Sequence, residues 1–325
     1  MPAKYALLTY KAHPEYNVGD YIQSLAAAQF LPSVDKYINR EKLSSYNDEQ
    51  VKMILNGWFM HLPENWPPSN KIEPLLTSFH LNCQVKEKLL SPNNIHWFHQ
   101  HAPVGCRDIY TYNLMQEAGI DSYLSGCLTS TLVNKWNYRT EDVIFSDVLF
   151  RVPDWSPKNS SAREWIQSIF TGGFTAASQR QKLLTKLFDT NLTNKAIHLH
   201  HYHTARHTER QRFAMAEDFL KKFATAKLVV TSRLHCAIPC LAFNTPVIFV
   251  NCGFHRDYDA CRMEGVCDLF NTISIDREGK ITANFNMPEK ITEDFKIANP
   301  QTFMQYVPEL KRACESFVNA VPQPL

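Results

Sequence analysis

The densest chemistry in the chain lies in Thr231-Ser-Arg-Leu-His-Cys-Ala237. Ahead of it, Leu228–Ser232 is rich in β-branched residues and reads as a strand; behind it, Leu234–Phe243 reads as a short helix that is almost wholly apolar. A helix so apolar is buried on most sides, so its polar side chains project from its first turn. There the backbone N–H groups lack helical partners and the dipole is positive. Arg233 adds a guanidinium whose fork suits a carboxylate or phosphate. His235 beside it can exchange a proton near neutral pH. Together they predict an anion site with an acid–base group against it. The plain structural alternative pairs Arg233 with a nearby aspartate and makes His235 a hydrogen-bonded core histidine.

Four further groups are of interest. In Pro103-Val-Gly-Cys-Arg-Asp108 a glycine turn sets Arg107 and Asp108 before a helix over Thr111–Ala118, where Asp108 is either an N-cap or a catalytic carboxylate. In Asn17-Val-Gly-Asp20, Asp20 reads as the cap of the first helix, and Asn17 and Gly19 suit a tight turn that brings backbone near a ligand. The segment lacks the glycine spacing of a dinucleotide fingerprint and the ending of a phosphate loop. Ser125-Gly-Cys-Leu-Thr129 ends a strand, but Cys127 has no base partner in sequence. The histidines His198, His200, His201, His203 and His207 would give a metal only a pair on one strand face, with no carboxylate or cysteine at matching spacing, so no metal is assigned. Cys236 and Cys240, four apart on the apolar helix, read as packing. Trp58-Phe59 and Trp66-Pro-Pro68 are either an aromatic platform for a sugar or core.

These residues need elements to hold them. Strands are expected at Tyr5–Tyr10, Val51–Phe59, Leu75–Leu81, Ile95–His99, Ser122–Ser125, Val143–Val148, Ala196–His200 and Pro246–Val250. Helices are expected from Asp20 to Pro32, over Glu209–Ala226 and over Thr302–Ala320. Strands alternating with helices predict parallel βαβ units. The irregular stretch Arg151–Gly173 predicts a linker, giving an N-terminal domain over 1–150 and a C-terminal one over 151–325. With 325 residues, 44% of them hydrophobic, there is ample core for both. The 34 Lys and Arg against 32 Asp and Glu leave +2, which argues against a nucleic-acid partner bound on a basic face. No apolar run is long enough to span a bilayer. The first residues lack a signal-peptide pattern, and the nine scattered cysteines fit reduced thiols, so a soluble cytoplasmic protein is expected.

Taken in order, Asn17-Val-Gly-Asp-Tyr-Ile-Gln-Ser-Leu-Ala-Ala27, Asn56-Gly-Trp58, Val104-Gly-Cys-Arg-Asp108, Ser125-Gly-Cys-Leu-Thr129, Arg212-Phe213 with Ala216-Glu217, and Val230-Thr-Ser-Arg-Leu-His-Cys-Ala237 resemble the polysaccharide pyruvyl transferase family. The resemblance runs from Tyr5 to Val250 and is most specific in the Thr-Ser-Arg-Leu-His block. It implies a fold like the GT-B glycosyltransferases: two Rossmann-like domains facing a cleft, with a C-terminal helix packing back on the first. It also implies transfer of a pyruvyl group from phosphoenolpyruvate to two hydroxyls of a saccharide acceptor, giving a ketal and phosphate. Donor-binding positions carry over to Arg107, Arg233, Leu234 and His235, with His235 moving the proton and Asp20 or Asp108 orienting an acceptor hydroxyl. Neither metal nor nucleotide cofactor is required, and a lipid-linked acceptor would bring the enzyme to a membrane surface. The alternative on the same fold is a glycosyltransferase using a nucleotide-sugar.

Overall fold

The computed structural model describes residues 3–10, 14–152, 176–254, 257–276 and 278–320. Its strands are, in chain order, Tyr5–Thr9 (β1), Glu15–Asn17 (β2), Lys36–Asn39 (β3), Val51–Phe59 (β4), Ile72–Leu81 (β5), Val104–Cys106 (β6), Ser122–Leu124 (β7), Val143–Ser146 (β8), Ile197–Leu199 (β9), Tyr202–Thr204 (β10), Leu228–Thr231 (β11), Val247–Cys252 (β12), Asn271–Ile275 (β13) and Ile281–Ala283 (β14). Six of them form a parallel sheet in the order β3-β1-β4-β5-β6-β7. A second six-stranded sheet has the order β14-β13-β12-β11-β8-β9 and is parallel except at its β14 edge. The chain is thus mixed α/β with two largely parallel sheets. β2 and β10 pair antiparallel, joining Glu15–Asn17 to Tyr202–Thr204.

The second sheet shows why its strands read as unbroken apolar runs. Ile144, Val229, Val247 and Phe249 face one hydrophobic cluster, while Val143, Phe145, Leu228, Val230, Ile248 and Val250 face another. Alternate residues leave opposite faces of a strand, and both faces here are covered. The first of these clusters is continuous with the core of the first sheet, including Leu7, Ile22, Leu55, Phe79 and Val104.

The helices that matter to the site are Val18–Ala28 (α1), Pro92–Gln100 (α2), Ile109–Glu117 (α3), Glu209–Thr225 (α4), Leu234–Ala242 (α5) and Val307–Asn319 (α6). α4 starts in a capping box, Thr208 with Gln211, packs on α1 with Phe213 against Tyr21, and buries Phe219, Leu220 and Phe223. α6 lies against β5; Lys52, buried in β4, donates to the Phe317 and Ala320 carbonyls at its C-terminal end, at 2.8 and 2.6 Å.

Three expectations are corrected. Ile95–His99 is not a strand but part of α2: Pro92 occupies its first position, which favours a helix start, and Trp97 stacks on His101 one turn on, ring centroids 4.1 Å apart. α1 begins at Val18, capped by the Asn17 side chain accepting from the Gly19 N–H at 3.0 Å, so Asp20 is the third helical residue and not the cap. β8 pairs with β11 and β9, so the chain changes sheet between Leu124 and Val143, ahead of residue 150. The linker expected over 151–173 lies outside the described residues from 153 on. No helix among the described residues is long and apolar enough to cross a membrane.

Candidate functional site

α5 is the pivot of the site, and Pro239 explains its shape. A proline has no N–H and its ring crowds the carbonyl four residues earlier, which here belongs to His235. His235 accordingly leaves helical geometry for φ −82°, ψ 17°, in the bridge region that active-site residues often occupy. Arg233 is the N-cap of this helix, and no side chain caps it. Leu234 and His235 therefore begin a helix whose N–H groups and dipole are available to an anion.

Around this start lies a cavity of about 300 Å³, at the small end of ligand pockets. Five arginines line it: Arg40, Arg107, Arg151, Arg233 and Arg262. They come from both sheets and from the loops beyond their strands, and Asp20 and Asp259 are the acidic residues on the same wall. The guanidiniums are held in place. Arg233 Nε donates to Asp147 Oδ2 at 2.7 Å, and its head lies 3.5 Å from the Phe150 ring centroid. Arg151 and Arg262 share Asp259 Oδ1, at 3.2 and 2.5 Å. Arg40 donates to Glu41 Oε1 at 2.8 Å and to the Trp58 carbonyl at 3.0 Å. Arg107 reaches Gln23 Oε1 at 3.5 Å, and its Nε stands 3.6 Å from Asp108 Oδ2. Cations fixed in this way need no reorganisation when an anion arrives.

Asp147 organises the Arg233 side of the cavity. Its carboxylate accepts from Arg233, from the His201 N–H at 3.1 Å and sits 3.1 Å from His200 Nδ1. Its φ of 45° is left-handed, as is that of Leu149 at 59°, and strain of this kind collects at functional sites. Burial pushes the Asp147 carboxyl up, but Arg233 and the His201 N–H outweigh it and hold it below the usual range.

Two histidines, the buried His201 and the half-buried His235, face the start of α1. His235 is enclosed, and its Nε2 has no protein partner. Burial, then the fields of Arg107, His201, Arg262 and Arg233, push its pKa well below the ordinary 6.5. Burial and Arg233 likewise push His201 down to about 3. Gly19 makes room for both: a Cβ there would stand 3.2 Å from His235 Cβ and 3.4 Å from His201 Nδ1. Asp20 behaves oppositely. Burial raises its carboxyl pKa, and Arg40, His61, Arg107 and Arg262 only partly counter that.

The structure thus brings Asp20, Arg107, Arg233, Leu234 and His235 to one cavity. Both branches of the alternative for the Thr-Ser-Arg-Leu-His block meet here: Arg233 does pair with an aspartate, while His235 is half-buried with its Nε2 enclosed and without a partner. Asp108 lies outside the main cavity, on a smaller hollow of about 30 Å³ that shares Arg107, Leu234 and His235 with it. Its carboxylate caps α3, accepting from the Thr111 N–H at 3.0 Å, and is 2.6 Å from His80 Nδ1 in a fully buried pair. The same carboxylate forms the 3.6 Å ion pair with Arg107. Trp58 lines the cavity, but Phe59 and Trp66 belong to the core cluster with Phe79 and Phe98, which removes them from any platform. His203 and His207 pack on Tyr16, and His198 contacts the Thr193 carbonyl; no metal-holding cluster of three or more His, Cys, Asp or Glu occurs among the described residues.

Arg40, Arg151, Arg262, Asp147 and Asp259 were not singled out by the sequence, and His201 was noted only within the histidine cluster. Asp147 carried the same signal as Arg233, a charge at the carboxyl end of a strand. Arg262 lies in a segment without a recognised motif.

The fold is α/β with two largely parallel sheets, and its main cavity gathers five arginines, two carboxylates and the half-buried His235. The family described as polysaccharide pyruvyl transferase matches residues 17–253, well over half of the chain, and the chain belongs to that family. No curated protein matches it. Among solved structures, a functionally uncharacterised protein from Klebsiella pneumoniae subsp. pneumoniae is similar at 14% identity, covering 79% of this chain and 87% of its own, with a TM-score of 0.41.

Proposed function

We propose that the cavity binds phosphoenolpyruvate and transfers its pyruvyl group to two hydroxyls of one sugar, forming a cyclic ketal and releasing phosphate. The observation that carries this is the set of five arginines facing two lining carboxylates, with His235 Nε2 unpartnered among them. The donor has one carboxylate and a phosphate of about −1.5 to −2 charge at neutral pH, and such a cradle offsets both. Arg233, Arg107 and the Leu234 end of α5 clamp it. The halves carrying the second and first sheets serve as donor and acceptor sides, two Rossmann-like domains facing a cleft in the GT-B manner.

The chemistry balances without any redox partner. One sugar oxygen bonds to C2 of the donor and gives its proton to Asp20, which passes it on to solvent, while C3 takes the proton from His235 and becomes a methyl group. The C2–O bond to phosphate then breaks, leaving an oxocarbenium that the fixed cations tolerate because they hold the departing phosphate. The second hydroxyl captures C2, and its proton leaves with the phosphate. Desolvation first, and then the fields of Arg107, His201, Arg262 and Arg233, lower the His235 pKa. The anionic donor cancels their field, so the ring takes up a proton as the donor binds and delivers it to C3. Asp20, whose raised pKa gives it more basic character than an ordinary carboxylate, holds the acceptor hydroxyl.

The test is phosphate release from phosphoenolpyruvate in the presence of a panel of diol-bearing sugars. His235→Ala should lower turnover by about 10²–10⁴-fold, the usual worth of a positioned acid–base group. Undiminished turnover in that variant would remove His235 from the mechanism.

A further inference from the structure

Cys83 and Cys261 meet at the rim of the cavity. Cys83 opens the turn Cys83–Val85 directly after β5, and Cys261 follows the helical turn Asp257–Ala260; the two segments touch. Their side chains are hydrogen-bonded to one another. The neighbours of each cysteine line the cavity: Asn82 and Gln84 on one side, Asp259, Arg262 and Met263 on the other. Cys83 is half-buried and within reach of solvent, whereas Cys261 is buried. We propose that these two thiols form a reversible disulfide that clamps the Asp259–Met263 rim, with its Arg262, against the turn after β5.

The step is a two-electron oxidation by a peroxide. The Cys83 sulfur attacks a peroxide oxygen, giving a sulfenic acid and water; the Cys261 sulfur then displaces the hydroxyl, which leaves as a second water. Two thiols are oxidised and one peroxide is reduced, and a dithiol reverses the reaction. The order follows from access. Burial and the adjacent Cys83 push the Cys261 thiol up to about 12, so Cys83 is oxidised first and Cys261 resolves it. Cys236 and Cys240 also touch, but both are fully buried in α5, where no oxidant arrives.

The experiment treats the reduced full chain with hydrogen peroxide, maps the cysteine peptides by mass spectrometry and follows backbone amide exchange over residues 257–266. The expected result is a Cys83–Cys261 linked peptide that dithiothreitol removes, with exchange in the clamped segment slowed about tenfold or more, as loss of a local opening requires. Cys261→Ser should give no cross-link and leave Cys83 to oxidise further to the sulfinic acid, while Cys267→Ser should keep the cross-link. Sulfinic Cys83 beside an intact Cys261 thiol in the unaltered chain, or a linked peptide with unchanged exchange, would overturn the proposal. None of these readouts depends on which donor the cavity binds.

Discussion

Lowering the pH from 7 to 5 should cost this protein more stability than its carboxylates alone would explain, because the buried His201 is held as a neutral ring and the half-buried His235 is shifted the same way. In the unfolded chain each takes a proton near 6.5; in the folded protein His201 does so only near 3 and His235 well below 6.5. A depressed folded pKa means that the unfolded state binds more protons in this interval. Stability is therefore unaffected above about 6.5 and falls as the pH drops below it. The loss is about 1.4 kcal/mol per pH unit for each ring while the folded ring stays neutral. From pH 7 to 5 this comes to about 2 kcal/mol for His201, out of a total that is typically about 5–15 kcal/mol, and His235 adds to the loss in the same direction. The figure is insensitive to the exact folded value of His201, which lies well under 5. Carboxylates contribute little there, since their unfolded values are near 4. The assay is urea unfolding at pH 7, 6 and 5, beside the variant His201→Leu, whose side chain keeps apolar contact with Phe219 and Phe223. Other titrating groups are shared and cancel in the comparison. The variant should lose about 2 kcal/mol less than the parent between pH 7 and 5. An identical pH dependence in the two proteins would refute the claim that the folded His201 ring is neutral.

Three more outcomes follow from the same geometry. Asp147→Asn tolerates the left-handed backbone but removes the charge that holds Arg233; calorimetry should show phosphoenolpyruvate bound more weakly by about 1.5–3 kcal/mol, the worth of a hydrogen bond to a charged group. Asp108→Ala strips the α3 cap and leaves His80 and Arg107 without their buried partner; urea unfolding should record a loss of about 3–5 kcal/mol, and a loss within ordinary surface variation would contradict the pairing. Gly57→Ala places a Cβ 2.6 Å from Gln23 Oε1 at a φ of +104°; a stability loss of about 1–3 kcal/mol is expected, together with weaker donor binding, because Gln23 contacts Arg107.

What the sequence disclosed and what it withheld divide along physical lines. Val51–Phe59 was readable to the residue because nearly every side chain of that strand is buried, so its apolar run is unbroken. The anion site at Arg233 and His235 was readable because strand, charge and apolar helix follow one another within a few residues. Ile95–His99 misled because β-branched and aromatic residues favour strands, while the Pro92 start and the i, i+4 contact of Trp97 with His101 fix a helix. The cap of α1 misled because Asn17 and Asp20 are both good capping types, three residues apart. The additional arginines had no local signature. Arg40, Arg151 and Arg262 come from three separate connections, and only the pairing of strands into sheets brings them to one wall. The place where the chain changes sheet was equally hidden, since whether Val143–Ser146 pairs with β7 or with β11 is settled by long-range contacts.

Calorimetric titration with phosphoenolpyruvate, repeated with UDP, GDP and CMP as competitors and on Arg233→Ala, tests the proposed donor most directly. Binding of phosphoenolpyruvate that nucleotides do not displace, accompanied by proton uptake at neutral pH and lost in Arg233→Ala, is the expected result. A nucleotide that binds while phosphoenolpyruvate gives no heat would contradict the donor assignment and point to a nucleotide-sugar in its place.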